Sequence, residues 1–200
     1  IMKKTLIILA HPDLTRSMAN KKLKEDEIDY FVKNYTELNI KDYQPASFIT
    51  AIMINGLDID ETYFLTKAMI NSRKKLNFKR EILDKHSTGG VGDKVTIVLA
   101  PILSALGMGT TKLSGKGLGH TGGTIDKFES ISGFNFSNTK EELISIANKT
   151  GIGLMGYSDN IVPLDKKLYS LRDVSATVPS IPLIASSIMS KKLAIDSNVI

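Results

Sequence analysis

The placement of glycine limits what this chain can fold into more than any other feature of its sequence. Ten of its 15 glycines fall between Gly89 and Gly123. Most of them sit in two clusters, D-K-H-S-T-G-G-V-G-D from Asp84 to Asp93 and S-G-K-G-L-G-H-T-G-G-T from Ser114 to Thr124. Glycine loses more freedom on folding than any other residue, so such runs belong where the backbone must bend sharply or approach something closely. Between the clusters, the apolar stretch Lys94 to Leu106 reads as a helix and Thr110 to Leu113 as a short strand. Strand, loop, helix, strand and loop in that order is the pattern of an α/β lobe.

The first cluster opens directly onto the predicted helix. Glycines let backbone N–H groups approach an anion, and a helix N-terminus adds partial positive charge. Lys85 supplies a full charge, and Ser87, Thr88 and Thr96 supply hydroxyl donors. These are the parts of a phosphate site; the competing reading is a tight loop that needs glycine only for its backbone angles. In the second cluster, Gly117 to Gly122 fits the dinucleotide pattern G-x-G-x-x-G after a strand, a pattern that glycine-rich loops meet readily. Its flanking Ser114, Thr121 and Thr124 suit a free phosphate better than a buried pyrophosphate turn. Neither cluster matches G-x-x-x-x-G-K-[ST], which argues against an ordinary P-loop nucleotidase.

The rest of the chain is mostly helical in pattern. Lys24 to Leu38 places Ile28, Phe31, Val32 and Tyr35 at helical spacing behind the acids Glu25, Asp26 and Glu27. Further helices are expected from about Pro45 to Asn55, from Asp58 or Asp60 to Asn71, and from Thr139 to Thr150. Two more lie near Asp165–Asp173 and Ser180–Leu193, and Gly153 to Tyr157 reads as a strand. In the last two helices Arg172 and Lys191 are isolated cations among apolar or small residues, readable as surface charges or as ligands. The run Ala185-Ser186-Ser187 beside Lys191 forms a small-residue wall that a flat polar ligand could face.

Charge and composition exclude several classes. The net charge is +5, but residues 1–24 hold six Lys/Arg against Asp13, so the remainder is neutral. No aromatic-flanked basic stripe is present, which argues against nucleic acid as a partner. There is no cysteine, hence no disulfide and no thiolate metal site. The longest apolar stretches, such as Val95 to Leu106, are too short to span a bilayer, and Ile1 to Ala10 makes no convincing signal peptide. A cytoplasmic protein with no membrane partner is the expectation.

Taken together and in order, D-K-H-S-T-G-G-V-G-D, S-G-K-G-L-G-H-T-G-G-T-I-D-K and L-R-D-V-S-A-T-V-P-S-I-P-L-I-A-S-S-I-M-S-K-K resemble the thymidine and pyrimidine-nucleoside phosphorylases, from about Leu23 to Ile200. The resemblance implies a pentosyl-transferring enzyme that splits pyrimidine nucleosides with inorganic phosphate, as a homodimer. It implies that Lys85, Ser87, Thr96, Ser114 and Thr124 hold phosphate, with Lys112 beside them. His86, Arg172, Ser187 and Lys191 would grip the pyrimidine ring, with His86, Arg172 and Lys191 taking the catalytic part. Backbone oxygens around Gly92 and Lys94 would form half of a potassium site found in some members; no organic cofactor is implied. The implied fold is α/β: a helical lobe from residues 24–70 and 162–192, and an α/β lobe with glycine-rich phosphate loops from residues 78–160 and 193–200. A cleft between the lobes would close over substrate.

Three departures accompany the resemblance. Lys116 stands where the family usually has arginine, and Ser132 where it has proline. Residues 1–22 are unlike the family's first helix and resemble instead the first strand and loop of flavodoxin-like NAD(P)H:quinone oxidoreductases, with His11, Pro12 and Ser17 matching. That makes a fused or replaced N-terminus the expectation and a flavin oxidoreductase the alternative function. At the other end Ile200 falls within the implied α/β lobe, which would leave that lobe incomplete. A non-catalytic fragment that only binds phosphate or a partner is the third alternative.

Overall fold

The computed structural model describes residues 22–71, 76–86, 93–115, 117, 122–156 and 161–200. In chain order these form α1 (Glu25–Thr36), α2 (Tyr43–Asn55), α3 (Ile59–Asn71), α4 (Val95–Ala105), β1 (Thr110–Leu113), α5 (Thr124–Glu129), α6 (Lys140–Thr150), β2 (Ile152–Met155), α7 (Pro163–Val174) and α8 (Ile181–Ala194). They divide into two compact units, Ile1–Ser72 with Pro163–Met189, and Arg73–Val162 with Ser190–Ile200. The strand expected at residues 3–10, and the flavodoxin-like segment with it, lie outside the described residues.

The first unit is helical because its apolar residues recur at helical spacing, and the start of α3 is capped. Ile28, Phe31, Val32 and Tyr35 of α1 are buried, and Phe31 meets Phe48 of α2 with ring centroids 4.2 Å apart. Leu65, Ala68 and Met69 of α3 and Leu164 and Leu168 of α7 complete the same core. Of the two candidate starts for α3, Asp58 is the cap. Its carboxylate accepts from Glu61 N at 2.8 Å, and Glu61 returns a carboxylate oxygen to Asp58 N at 2.8 Å. Such reciprocal capping satisfies two amides that the helix itself cannot.

The second unit is a parallel sheet with a helix on each face. β1 and β2 pair in parallel from Thr110↔Ile152 to Leu113↔Met155. Parallel bridges extend the sheet on both sides, Ile82↔Gly109 and Leu83↔Val199 on one and Ser137↔Met155 on the other. Every residue of β1 is buried, as expected of a strand covered on both faces. Thr110 and Lys112 face Thr96 and Ala100 of α4 across a narrow gap. On the other face α6 lies so close that a Cβ on Gly153 would stand 2.9 Å from Leu143 and 3.3 Å from Thr111. α6 starts at Thr139, whose hydroxyl accepts from Glu142 N at 3.1 Å, and stops at Gly151 with a left-handed φ of 77°.

Two local results were not legible beforehand. The six-residue α5 is too short to show a periodic pattern. α4, apolar along most of its length, buries only Thr96 and Ala100 and leaves Val95, Ile97, Val98 and Ile102 exposed. Among the described residues no helix is long and apolar enough to cross a membrane.

Candidate functional site

In the second unit, strand β1 carries a lysine where a parallel strand normally carries an aliphatic residue. Lys112 is 3% exposed, and an unpaired ammonium there would be prohibitively costly. Its Nζ donates to Asp93 Oδ2 at 2.9 Å and to the Lys85 carbonyl at 2.6 Å, and lies 3.7 Å from Asp84 Oδ1. Lys85 Nζ pairs with the other oxygen of Asp93. Asp93 also accepts from Thr96 N at 3.2 Å and from Thr96 Oγ1 at 2.6 Å, so its carboxylate caps the start of α4. Lys192, buried at the end of α8, donates to Asp84 Oδ2 at 2.5 Å and to the Lys85 carbonyl at 3.2 Å. Three ammonium groups therefore surround two carboxylates at the two ends of the first glycine cluster.

The electrostatics follow from that surplus of one positive charge. Burial, followed by the charge of Lys112, pulls Lys85 from its ordinary 10.5 down to about 8. Burial likewise pulls Lys192 down to about 8 against the attraction of Asp84, and it lowers Lys112. An arrangement that strains to hold its own protons is one that an added anion would relax.

The second glycine cluster is held differently. Asp126, in the first turn of α5, accepts from Gly117 N at 2.6 Å and from Gly123 N at 2.7 Å through one carboxylate oxygen. Ser114 follows β1 directly, its amide donating to the Met155 carbonyl at 3.0 Å, and Thr124 begins α5. Both are half-buried.

The helical unit holds a small pocket walled by Leu65, Leu168 and Leu183, with Tyr169, Arg172 and Ser187 among its polar lining. Leu164, Leu168 and Arg172 occupy one face of α7, which is why the cation points inward: it is 4% exposed. Its Nη2 donates to the Val178 carbonyl at 2.7 Å and ties the end of α7 to the loop leading into α8. Asp165, two turns earlier on the same face, is also buried and lines the pocket. Ser186, next to Ser187, accepts from Thr66 Oγ1 at 3.2 Å. The reading of Arg172 as a surface charge fails.

The structure thus gathers Lys85, Thr96 and Lys112 in the α/β unit, and Arg172 and Ser187 in the helical unit. Lys191 is half-buried near the end of α8 and His86 is exposed; both belong to the second unit. Ser87, Gly92, Lys116 and Thr121 lie outside the described residues. Sequence reading missed Asp84, Asp93, Asp126, Asp165 and Lys192. The aspartates that bracket the first cluster could have been found by asking which lysines neutralise them. Lys192 could not, since only the fold shows which of two adjacent lysines turns inward.

Comparison with known proteins agrees with this architecture. Residues 79–198 match the glycosyl transferase family, a/b domain, and residues 13–73 its helical bundle domain, a match that begins ahead of Leu23. The pyrimidine-nucleoside phosphorylase of Staphylococcus haemolyticus is 50% identical over 183 residues, 90% of this chain. That of Bacillus subtilis is 48% identical over 94% of the chain, and the thymidine phosphorylase of Mycoplasmoides pirum 50% identical over 90%. The chain spans 42% to 44% of the length of these relatives. The anthranilate phosphoribosyltransferase of Thermus thermophilus has the same fold, with a TM-score of 0.70 over 89% of this chain and 54% of its own, at 16% identity. With more than half its length in the a/b domain and the helical bundle domain before it, the chain belongs to the glycosyl transferase family.

Proposed function

We propose that this protein belongs to an enzyme that cleaves pyrimidine nucleosides, thymidine and uridine, with inorganic phosphate, giving the free base and (deoxy)ribose 1-phosphate. The observation that carries the reading is the buried surplus of positive charge at the first glycine cluster, three lysines on two aspartates. Relatives of half-identity named for this activity support it. In the reaction a phosphate oxygen bonds to C1′ as the C1′–N1 bond breaks through a sugar cation. The bonding pair leaves on N1, and the pyrimidine departs as an anion that then takes a proton. Such chemistry asks the protein mainly to position phosphate and to stabilise charge on the leaving base. Lys85, Ser87, Thr96, Ser114 and Thr124 hold the phosphate in this reading; Arg172, Ser187, Lys191 and His86 meet the base.

Lys112 acts with the phosphate group of residues, but its ammonium is already engaged with Asp93 and the Lys85 carbonyl. Reaching a ribose hydroxyl would cost it one of these contacts. A homodimer, a cytoplasmic location and a potassium ion belong to the same proposal. The ion would use backbone oxygens of Gly92 and Lys94. The Lys94 carbonyl stands at the start of α4 and accepts from Ile97 N at 3.2 Å, so a cation there would share that oxygen with the helix.

The test is phosphate-dependent release of thymine from thymidine. It should be run on this chain and on an extended chain continued C-terminally with the remaining sequence of the Bacillus subtilis relative. Lys191→Ala in the extended chain should lower turnover about 10²–10³-fold, the scale for losing one donor to developing negative charge. Near-normal turnover at saturating substrate would refute the role of Lys191. A preference for thymidine over uridine beyond about a thousandfold in kcat/KM, some 4 kcal/mol, would refute broad specificity.

A further inference from the structure

Two consecutive lysines end α8, and only the first is used by the proposed chemistry. Lys192 is buried, 4% exposed, and its contacts run to one place: Asp84 Oδ2 at 2.5 Å and the Lys85 carbonyl at 3.2 Å. That carbonyl also accepts from Lys112 Nζ at 2.6 Å, while the Lys85 amide donates to Asp84 Oδ1 at 2.8 Å. The backbone around Lys85 is thus held on its N–H side by a carboxylate and on its C=O side by two ammonium groups. Asp84 is itself fixed, its amide donating to the Val199 carbonyl at 2.9 Å.

A purely structural ion pair would be a poor explanation of this geometry. Buried pairs contribute little net stability compared with apolar residues of the same size. A third ammonium added to a cluster that already holds two lysines worsens their mutual repulsion. What Lys192 adds is direction. It closes the remaining side of the Asp84 carboxylate, so that the peptide bearing the ligand-binding Lys85 has a single orientation.

We infer that Lys192 is a positioning residue for the phosphate site, acting through Asp84 and the Lys85 carbonyl on the strand end that leads into the first glycine cluster. The inference rests on the reading of that cluster as a phosphate site. It divides the work of the two lysines: Lys191 meets the base, and Lys192 aims the Lys85 peptide.

The experiment compares Lys192→Met and Lys192→Gln with wild type. Inorganic phosphate is titrated calorimetrically into this chain, and KM is measured separately for phosphate and for nucleoside in the extended chain. Displacements on the order of 1 Å cost up to about a hundredfold, so phosphate affinity should weaken about tenfold or more. The nucleoside KM should stay within about twofold. The proposal is overturned if a folded variant binds phosphate within about twofold of wild type, or if both KM values rise together. It is overturned too if neither variant folds, since Lys192 would then serve the stability of the unit. A wild-type chain that binds phosphate yet releases no thymine in either form ends the phosphorolysis reading alone; one that binds no phosphate ends both.

Discussion

The two glycine clusters of the α/β unit face the same physical problem and meet it in opposite ways. Each carries glycines, rich in conformational freedom, between described residues that are fixed by contacts of a different kind. The first is held by charge: Lys85, Lys112 and Lys192 against Asp84 and Asp93, all but Lys85 nearly out of solvent. The second is held by amides: one oxygen of Asp126 takes two backbone N–H groups, and Lys127 caps the Gly122 carbonyl from the exposed side at 2.9 Å. A charge-held segment is costly to break and sensitive to pH. An amide-held one is cheaper to break and indifferent to pH through the neutral range. On the proposed phosphate reading, the first cluster would supply a charged grip on the anion and the second a shaped wall beside it.

The largest expected effect comes from breaking the charged side. Asp93→Asn keeps the shape but removes the charge opposite Lys85 and Lys112, and it weakens the cap on Thr96. Removing one partner of a buried pair costs about 3–5 kcal/mol, because the other charge stays behind. Urea unfolding of the variant should show a loss of that size with an unchanged m-value. A loss under about 1 kcal/mol would mean that the lysines find water or move, and that the cluster is less enclosed than the distances imply.

The amide side should yield less. Asp126→Ala leaves Gly117 N and Gly123 N without their acceptor, a loss of the order of a helix N-cap, about 1–2 kcal/mol. Phosphate affinity should fall with it, since the described ends of the cluster lose the carboxylate that fixes them. Equal losses for Asp126→Ala and Asp93→Asn in the same urea experiment would erase the distinction between the loops.

Much of this was legible in the sequence, and the residues show why the rest was not. β1 was expected at Thr110–Leu113 and appears there, because four residues between two glycine-bearing turns leave no other register. α6 was expected from its Thr139 cap and Gly151 stop, both of which are local signals. The residues proposed for phosphate and base were readable as types, a lysine among hydroxyls and a cation on an apolar helix face. Their partners were not. Asp84 and Lys192 are 108 residues apart and Lys112 and Asp93 19 apart, so each pairing exists only once the sheet has formed. The residues alone left Arg172 open between surface charge and ligand, because helical spacing does not say which face is covered; α3 and α8 cover it.

The smallest predicted effect is the one that most directly separates the two loops. Lys85 and Lys192 titrate at about 8 in the folded chain against an ordinary value near 10.5. Between those values the folded state binds fewer protons than the unfolded state, so stability must rise with pH across that window. Over the same interval Lys85 loses the charge that grips the anion, so affinity must fall. Stability and affinity should therefore move in opposite directions as pH rises from about 7.5 to 8.5, with affinity dropping about threefold for a single group titrating at 8. Sulfate is the cleaner probe, because its charge does not change over this range. Lys85→Met should flatten the fall in sulfate affinity. Asp126→Ala, which touches only the amide-held loop, should bind more weakly at every pH yet keep the same slope. If the slope survives in Lys85→Met, or if stability and affinity fall together in the wild-type chain, the anion is not held by this lysine cluster and the two loops do not divide the work between charge and amide.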